Sequence, residues 1–268
     1  MNRSKTPLNY LSAARFQGAE AGEFLQNQLS ADIAALKPGD ACFAAYCSPK
    51  GKVLGLLLVG KGEDDYLVAA AADLLPGILD RLRIFVMRTR VEFSLEPGLR
   101  LYGVEPSSDP AAGGYFQPDD LPLYYLFSGQ PADEPGGAFK AKELRCGISW
   151  LNADTAEKFI PQMLGHDQIG AVSFSKGCYP GQEIVARARY LGKVKRKPVV
   201  VQVEGNLATR PSEAVEICRG DSWDRGTVID SVTLGSGDTL VLIVAPAEPD
   251  STISSLRHGD RVYRCATI

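Results

Sequence analysis

Apolar residues fall at two spacings along this chain, and the texture changes near residue 198. Before that point, alternating runs are interleaved with helical ones. Residues 7–16 (Leu8, Tyr10, Leu11, Phe16) suit one short strand, and Gly18 opens a helix over 19–29 with Phe24, Leu25 and Leu29 on one face. Strands over 41–47 and 53–59 are joined by Ser48-Pro-Lys-Gly51, a hairpin signal, and 66–71 is a further strand. Asp73 is placed to cap a helix over 75–87, whose residues Leu75, Ile78, Leu79, Leu82, Phe85 and Val86 keep the helical period. Strands over 90–95 and 98–104 follow. This order predicts an α+β region with a mainly antiparallel sheet.

Residues 105–137 are crowded with Pro and Gly around one apolar strand at 123–127, which suits a surface excursion. Asp154-Thr-Ala-Glu157 has capping-box spacing and predicts a helix ended by Pro161. Beyond Lys197, five short strands (199–203, 214–217, 226–234, 240–244, 261–266) are separated by Gly-Asp turns. Such regular spacing predicts a small all-β barrel. The expected division is therefore 1–197 for the α+β region and 198–268 for the barrel.

Composition narrows the function classes. Apolar residues make up 45% and charged residues 23%, as in an ordinary globular protein. The net charge of −3 gives no general attraction to nucleic acid, so any basic surface is local. Six cysteines are too sparse for a disulfide scaffold, and Cys42 and Cys47 lack zinc-knuckle spacing and suit core thiols. The first ten residues are polar, and the longest apolar runs, 53–59 and 240–244, are too short to span a membrane. A cytoplasmic protein with reduced thiols and no membrane contact is expected. The only histidines, His166 and His258, exclude a His-rich metal cage; each suits a surface or locally hydrogen-bonded role. Residues 55–62 approach a phosphate-binding loop but carry glycine where Ser or Thr must hold Mg²⁺, and they have the pattern of a buried strand. Nucleotide binding there is rejected.

The most particular chemistry lies at 172–197. Cys178 sits between Gly177 and Pro180-Gly181, with Lys176 just before it and Gln182 and Glu183 just after. Pro180 suits the first position of a helix, which places the thiol beside a helix N-terminus and a lysine, two features that lower a thiol pKa. Seven basic residues against one acid lie between Lys176 and Lys197, a patch able to track phosphates. Only Tyr179 and Tyr190 interleave with it, which is poor support for base stacking. Upstream, 24–33 is rich in amides, Gln26 and Gln28 among them, which need partners in the fold or in a ligand.

Lys176-Gly-Cys-Tyr-Pro-Gly-Gln-Glu183 resembles the K-G-C-Y-x-G-Q-E signature of the YgfZ family, relatives of the folate-binding T-protein of the glycine cleavage system. Phe24-Leu-Gln, Ser30-Ala-Asp-Ile33, Ser48-Pro-Lys-Gly51 and Phe159-Ile-Pro-Gln162 are similar to further family segments, in the expected order. The resemblance implies two interwoven α+β lobes around a folate-sized hole, followed by a C-terminal β-barrel. It implies tetrahydrofolate or a derivative as cofactor. It also implies a role in forming or maintaining iron–sulfur clusters in client enzymes such as those that methylthiolate tRNA, with client or assembly proteins as partners. Cys178 would be the reactive thiol and Lys176 its companion, on a turn built by Gly177, Tyr179, Gly181, Gln182 and Glu183. Gln26, Gln28, Arg145, Gln162, Arg187 and Arg196 are the candidate folate contacts; Arg196 resembles a T-protein position that pairs with folate carboxylates. The T-protein places acidic residues after its hairpin, whereas residues 51–58 here carry no carboxylate, and Arg145 or a neighbour stands where the T-protein has an acid for its pterin. General acid–base work needs such a group, so an aminomethyl- or methyltransferase is the weaker alternative. An RNA-binding module making a weak tRNA contact is a further one.

Overall fold

The computed structural model describes residues 5–104, 115–118, 121–130, 137–192, 194–248 and 252–268. Two facing sheets and a barrel organise them. The first sheet has five antiparallel strands in the order β3 (Ala41–Cys47), β4 (Val53–Lys61), β5 (Asp65–Ala71), β2 (Leu11–Gln17) and β6 (Glu92–Leu95). The second has four, in the order β1 (Lys5–Pro7), β7 (Arg100–Val104), β9 (Tyr124–Ser128) and β8 (Tyr115–Phe116). The chain lays down β1 in one sheet, β2–β6 in the other, and then returns, which interweaves the two lobes.

β3 and β4 are apolar on both faces because both faces are covered. On one side, Ala44, Tyr46, Leu57 and Val59 pack beneath α1 (Ala21–Gln28) and α2 (Leu75–Arg83). On the other, Phe43, Leu56 and Leu58 meet Leu101, Tyr125 and Phe127 of the second sheet, Phe139 of α3 (Gly137–Arg145), and Trp150. Each fully buried leucine contributes about 1.5–3 kcal/mol.

Six strands close the barrel: β10 (Arg196–Val203), β13 (Thr239–Pro246), β12 (Ser222–Thr233), β11 (Ala214–Arg219), β14 (Ser255–His258) and β15 (Arg261–Thr267). Val201, Ile217, Val228 and Ile243 fill its interior. Ile229, Leu240, Leu242 and Val244 turn outward and pack against Cys47, Val53, Leu144, Leu151 and Phe159 of the lobes.

The structure corrects several expectations. Residues 7–16 hold parts of two strands, β1 and β2, rather than one. The barrel has a sixth strand, β14, whose Ser-Leu-Arg-His run is too short and polar to stand out. The α2 helix ends at Arg83, and 84–88 form turns. Asp73 does not cap it; its carboxylate accepts the Ala153 N–H at 2.8 Å instead. The expected helix after Asp154 is a series of turns, because Asn152 Oδ1 captures the Asp154 and Thr155 N–H groups at 3.1 Å each and Glu157 takes a left-handed φ of 62°. Pro161 begins a short 3-10 turn, Pro161–Met163. Helix α3 carries no clear sequence signal, because Gly-rich sequence precedes it. Most of the excursion expected at 105–137 lies outside the described residues.

Candidate functional site

Residues 173–181 form a turn clamped at three points. Lys176 is buried, and its Nζ donates to the carbonyls of Leu29 (2.6 Å) and Gln26 at the C-terminus of α1. A cation there offsets the helix dipole and satisfies carbonyls left over at the helix end. Burial pushes its pKa down to about 8, against the opposing pull of Asp32. Tyr179 is buried beside it, with the Lys176 ammonium 5.3 Å from its ring centroid, and burial raises its phenol. Gly181 makes the third clamp. It has φ +80°, and a Cβ there would lie 2.4 Å from the Ser48 carbonyl oxygen and 2.7 Å from the Gly51 Cα. The turn therefore rests backbone to backbone on the β3–β4 hairpin.

This contact fixes where the next helix begins. Helix α4 spans Gln182–Tyr190 with Gly181 as its N-cap, so Pro180 lies in the turn and not at the first helical position. Cys178 is four residues ahead of the helix, and of the six thiols it alone is exposed. Lys176 spends its ammonium on α1, which makes it a brace for the turn. Gly177 is exposed, with open space around its Cα. Gln182 and Glu183 fall in the first turn of α4, and Glu183 pairs with Arg187 at 2.9 Å. Ser30 ties the assembly together: its Oγ donates to the Ala171 carbonyl (2.6 Å) and accepts the Ala45 N–H (2.8 Å), while its carbonyl accepts the Ser173 N–H (2.8 Å).

The six candidate folate contacts are scattered. Gln26 Oε1 accepts the Ile33 and Ala34 N–H groups, holding the turn after α1. Arg196 donates to the carbonyls of Val244 (2.7 Å) and Arg225 (3.2 Å) inside the barrel wall. Arg145 is exposed at the end of α3, and Arg187 is held by Glu183. Gln162 donates to the Val185 carbonyl at 2.7 Å. The buried Oε1 atoms of Gln28 and Gln162 meet no hydrogen-bond donor among the described residues.

A cavity of about 280 Å³ opens where both lobes meet the barrel, lined by Tyr10, Asp73, Lys140, Trp150, Asn152 and Asp230 together with small and apolar residues. None of the six candidates lines it. Lys140 forms an ion pair with Asp230 across the seam, with its ammonium 4.1 Å from the Tyr10 ring centroid. Behind it Glu143 is fully buried and accepts hydrogen bonds from Tyr10 Oη, Tyr125 Oη (2.9 Å) and Trp150 Nε1 (2.9 Å). Burial raises the Glu143 carboxyl pKa, opposed by Lys140, and burial beside Glu143 raises both phenols. Glu143 and Lys140 do not stand out in the residue pattern. The available signal was an acid four residues after Phe139, on the same inward face of a helix.

A second buried pair, Ser149 Oγ and His166 Nε2 at 2.9 Å, lies below the surface, and burial pushes the imidazole pKa down to about 4. Both residues are wholly enclosed and serve packing. His258 pairs with Glu213 at 3.0 Å. Among the described residues, no group of three His, Cys, Asp or Glu is placed to hold a metal ion, and no helix is long and apolar enough to cross a membrane.

Comparison with known proteins places this architecture. No family model matches the chain. An uncharacterized protein of Haemophilus influenzae is 30% identical over 232 residues, covering 81% of this chain and 80% of its own length. The tRNA-modifying protein YgfZ of Enterobacter sp. is 27% identical over 283 residues, covering 90% of this chain and 86% of its own. The chain belongs to the YgfZ family. The tRNA-modifying protein YgfZ of Colwellia psychrerythraea extends the match to 92% of the chain and 90% of its own length at 25% identity. The crystal structure of glycine cleavage system aminomethyltransferase T from Bartonella henselae superposes with a TM-score of 0.67, covering 98% of this chain and 84% of that one at 13% identity. The aminomethyltransferase-like fold thus carries Cys178 exposed on the clamped turn.

Proposed function

We propose that this protein binds a reduced folate and supports iron–sulfur-dependent tRNA modification, presenting Cys178 as the thiol that client proteins meet. The observation that carries the proposal is the clamped turn. Lys176, Tyr179 and Gly181 hold the backbone on both sides of one exposed cysteine, and a handling group needs that kind of fixed support. Relatives described as tRNA-modifying proteins support the tRNA part of this reading, and the aminomethyltransferase-like fold is consistent with a folate ligand.

The cavity between lobes and barrel fits a pterin ring. Tyr10 and Trp150 offer aromatic walls, Asp73 and Asp230 offer acceptors for an aminopyrimidine edge, and Lys140 offers a donor for a ring carbonyl. Its volume falls just below the ~300–1,000 Å³ usual for ligand pockets, which suits the ring alone with the glutamyl tail outside. When bound, a reduced folate supplies one-carbon chemistry. Aminomethyl transfer lacks its acid group, because β4 carries no carboxylate and Ile78 fills the space over Gly55, 2.7 Å from where a Cβ would stand.

Anaerobic thermal melting with tetrahydrofolate tests the cofactor. At ~100 times its dissociation constant the ligand adds about 2.7 kcal/mol, and an unchanged melting temperature at saturating folate refutes binding. Cys178→Ala is expected to melt and bind folate as the parent does, yet fail to restore tRNA modification in cells lacking the protein. Full restoration would reduce Cys178 to a surface residue.

A further inference from the structure

The turns that follow α2 expose a cluster of large apolar side chains. Ile84, Phe85 and Met87 are 73%, 48% and 89% exposed, while their neighbour Leu82 is wholly buried and does the packing. Monomer surfaces rarely gather large apolar side chains without a use for them. Met87 adopts a left-handed φ of 39°, an unfavourable conformation for a side chain of its size. Around these residues stand Arg81, Arg83, Arg88 and Arg90, with no acid anywhere in 81–90, in a chain whose net charge is −3. Arg83 pairs with Asp80 and Arg90 with Glu20, while Arg88 makes no ion pair among the described residues.

We infer that residues 81–90 form a docking surface for a protein partner whose apolar contact is rimmed by carboxylates. Methionine, phenylalanine and arginine are the residue types that interfaces enrich, and an arginine rim selects an acidic partner and speeds encounter. RNA fits less well. Single-stranded RNA is held on aromatic platforms, and Phe85 is the one aromatic here, flanked by aliphatic side chains that stack poorly. The surface involves neither Cys178 nor the cavity, so the inference goes beyond the functional proposal and does not need folate.

The test uses a fluorescent helical peptide with leucines at i, i+3, i+4 and i+7 and glutamates on the flanks, read by anisotropy. Binding to the full chain is expected to saturate, to weaken about tenfold in Ile84→Ser/Met87→Ser, and to weaken with added salt. Val262→Ser, which alters an exposed apolar residue on β15, is the control and should bind as the parent does. Because the altered side chains are exposed, melting should be unchanged in both variants. In cells lacking the protein, Ile84→Ser/Met87→Ser should restore tRNA modification poorly where the parent restores it; failure of the parent itself would count against the functional proposal instead. Equal peptide affinity in the double variant overturns the docking inference. So does tRNA binding that the double substitution abolishes, which would make the surface an RNA site. Self-association lost in the double variant overturns it as well, since the partner would then be a second copy.

Discussion

Replacing Gly181 with alanine probes the contact on which the signature turn rests. Two costs add. A non-glycine residue at φ +80° loses roughly 1–2 kcal/mol to left-handed strain. The new methyl group would also stand 2.4 Å from the Ser48 oxygen and 2.8 Å from the Gly51 nitrogen, both backbone atoms, and such overpacking costs typically ~1–3 kcal/mol. The expected loss is roughly 2–5 kcal/mol, a large share of the ~5–15 kcal/mol that holds most domains together. With a urea slope of ~3 kcal/mol per molar, the unfolding midpoint should drop by about 1 M. Gly77→Ala is the contrast: that glycine lies in α2, with nothing within 4 Å of a Cβ, and alanine there should gain about 0.5–1 kcal/mol. Urea titrations of the two variants give opposite shifts if backbone approach is the reason for glycine at 181. A Gly181→Ala midpoint within ~0.3 M of the parent, a loss under ~1 kcal/mol, refutes the reasoning.

Three further outcomes are expected. His166 is held neutral with its pKa near 4, so between there and its ordinary value of 6.5 the unfolded chain binds the proton more readily; stability should fall by about 3 kcal/mol as pH drops through that window. His166→Gln should remove this acid limb from a plot of urea midpoint against pH, and an unchanged limb counts against it. Glu143 has a raised carboxyl pKa, so its contribution is present at acid pH and is lost as pH climbs above the ordinary value of 4.5. Glu143→Gln should therefore gain on the parent as pH rises, although at every pH its amide turns one N–H toward a donor, at about 1–3 kcal/mol. Lys176→Met orphans the carbonyls of Gln26 and Leu29. Hydrogen exchange in residues 24–33 should accelerate while the barrel strands stay protected, and uniform protection would deny Lys176 its role as brace.

The strands were legible where the pattern was strict. β3 and β4 are continuous apolar runs joined by a Pro-Gly turn, and the barrel strands recur at even spacing. The helix expected after Asp154 failed because Asn152 competes locally for the same N–H groups, and residue pattern alone does not say which cap wins. Pro180 misled in a similar way. A proline suits a helix start, but the contact of Gly181 with the hairpin, more than a hundred residues away in sequence, sets the start two residues later. The Cys178 turn was visible as residues, while its bracing by α1 was not. The Glu143 cluster stayed hidden because its partners, Tyr10, Tyr125 and Trp150, come from three separate segments, Tyr10 more than a hundred residues away.

The outward-facing residues Ile229, Leu240, Leu242 and Val244 have a bearing on how the molecule comes apart. They belong to strands that also line the barrel, so pulling the barrel from the lobes would wet an apolar wall on each side at once. The barrel is thus fastened like a keystone, and heat or denaturant should melt lobes and barrel in one step. A protease nick in the exposed loop at 204–206 should leave two fragments that still travel together through a sizing column.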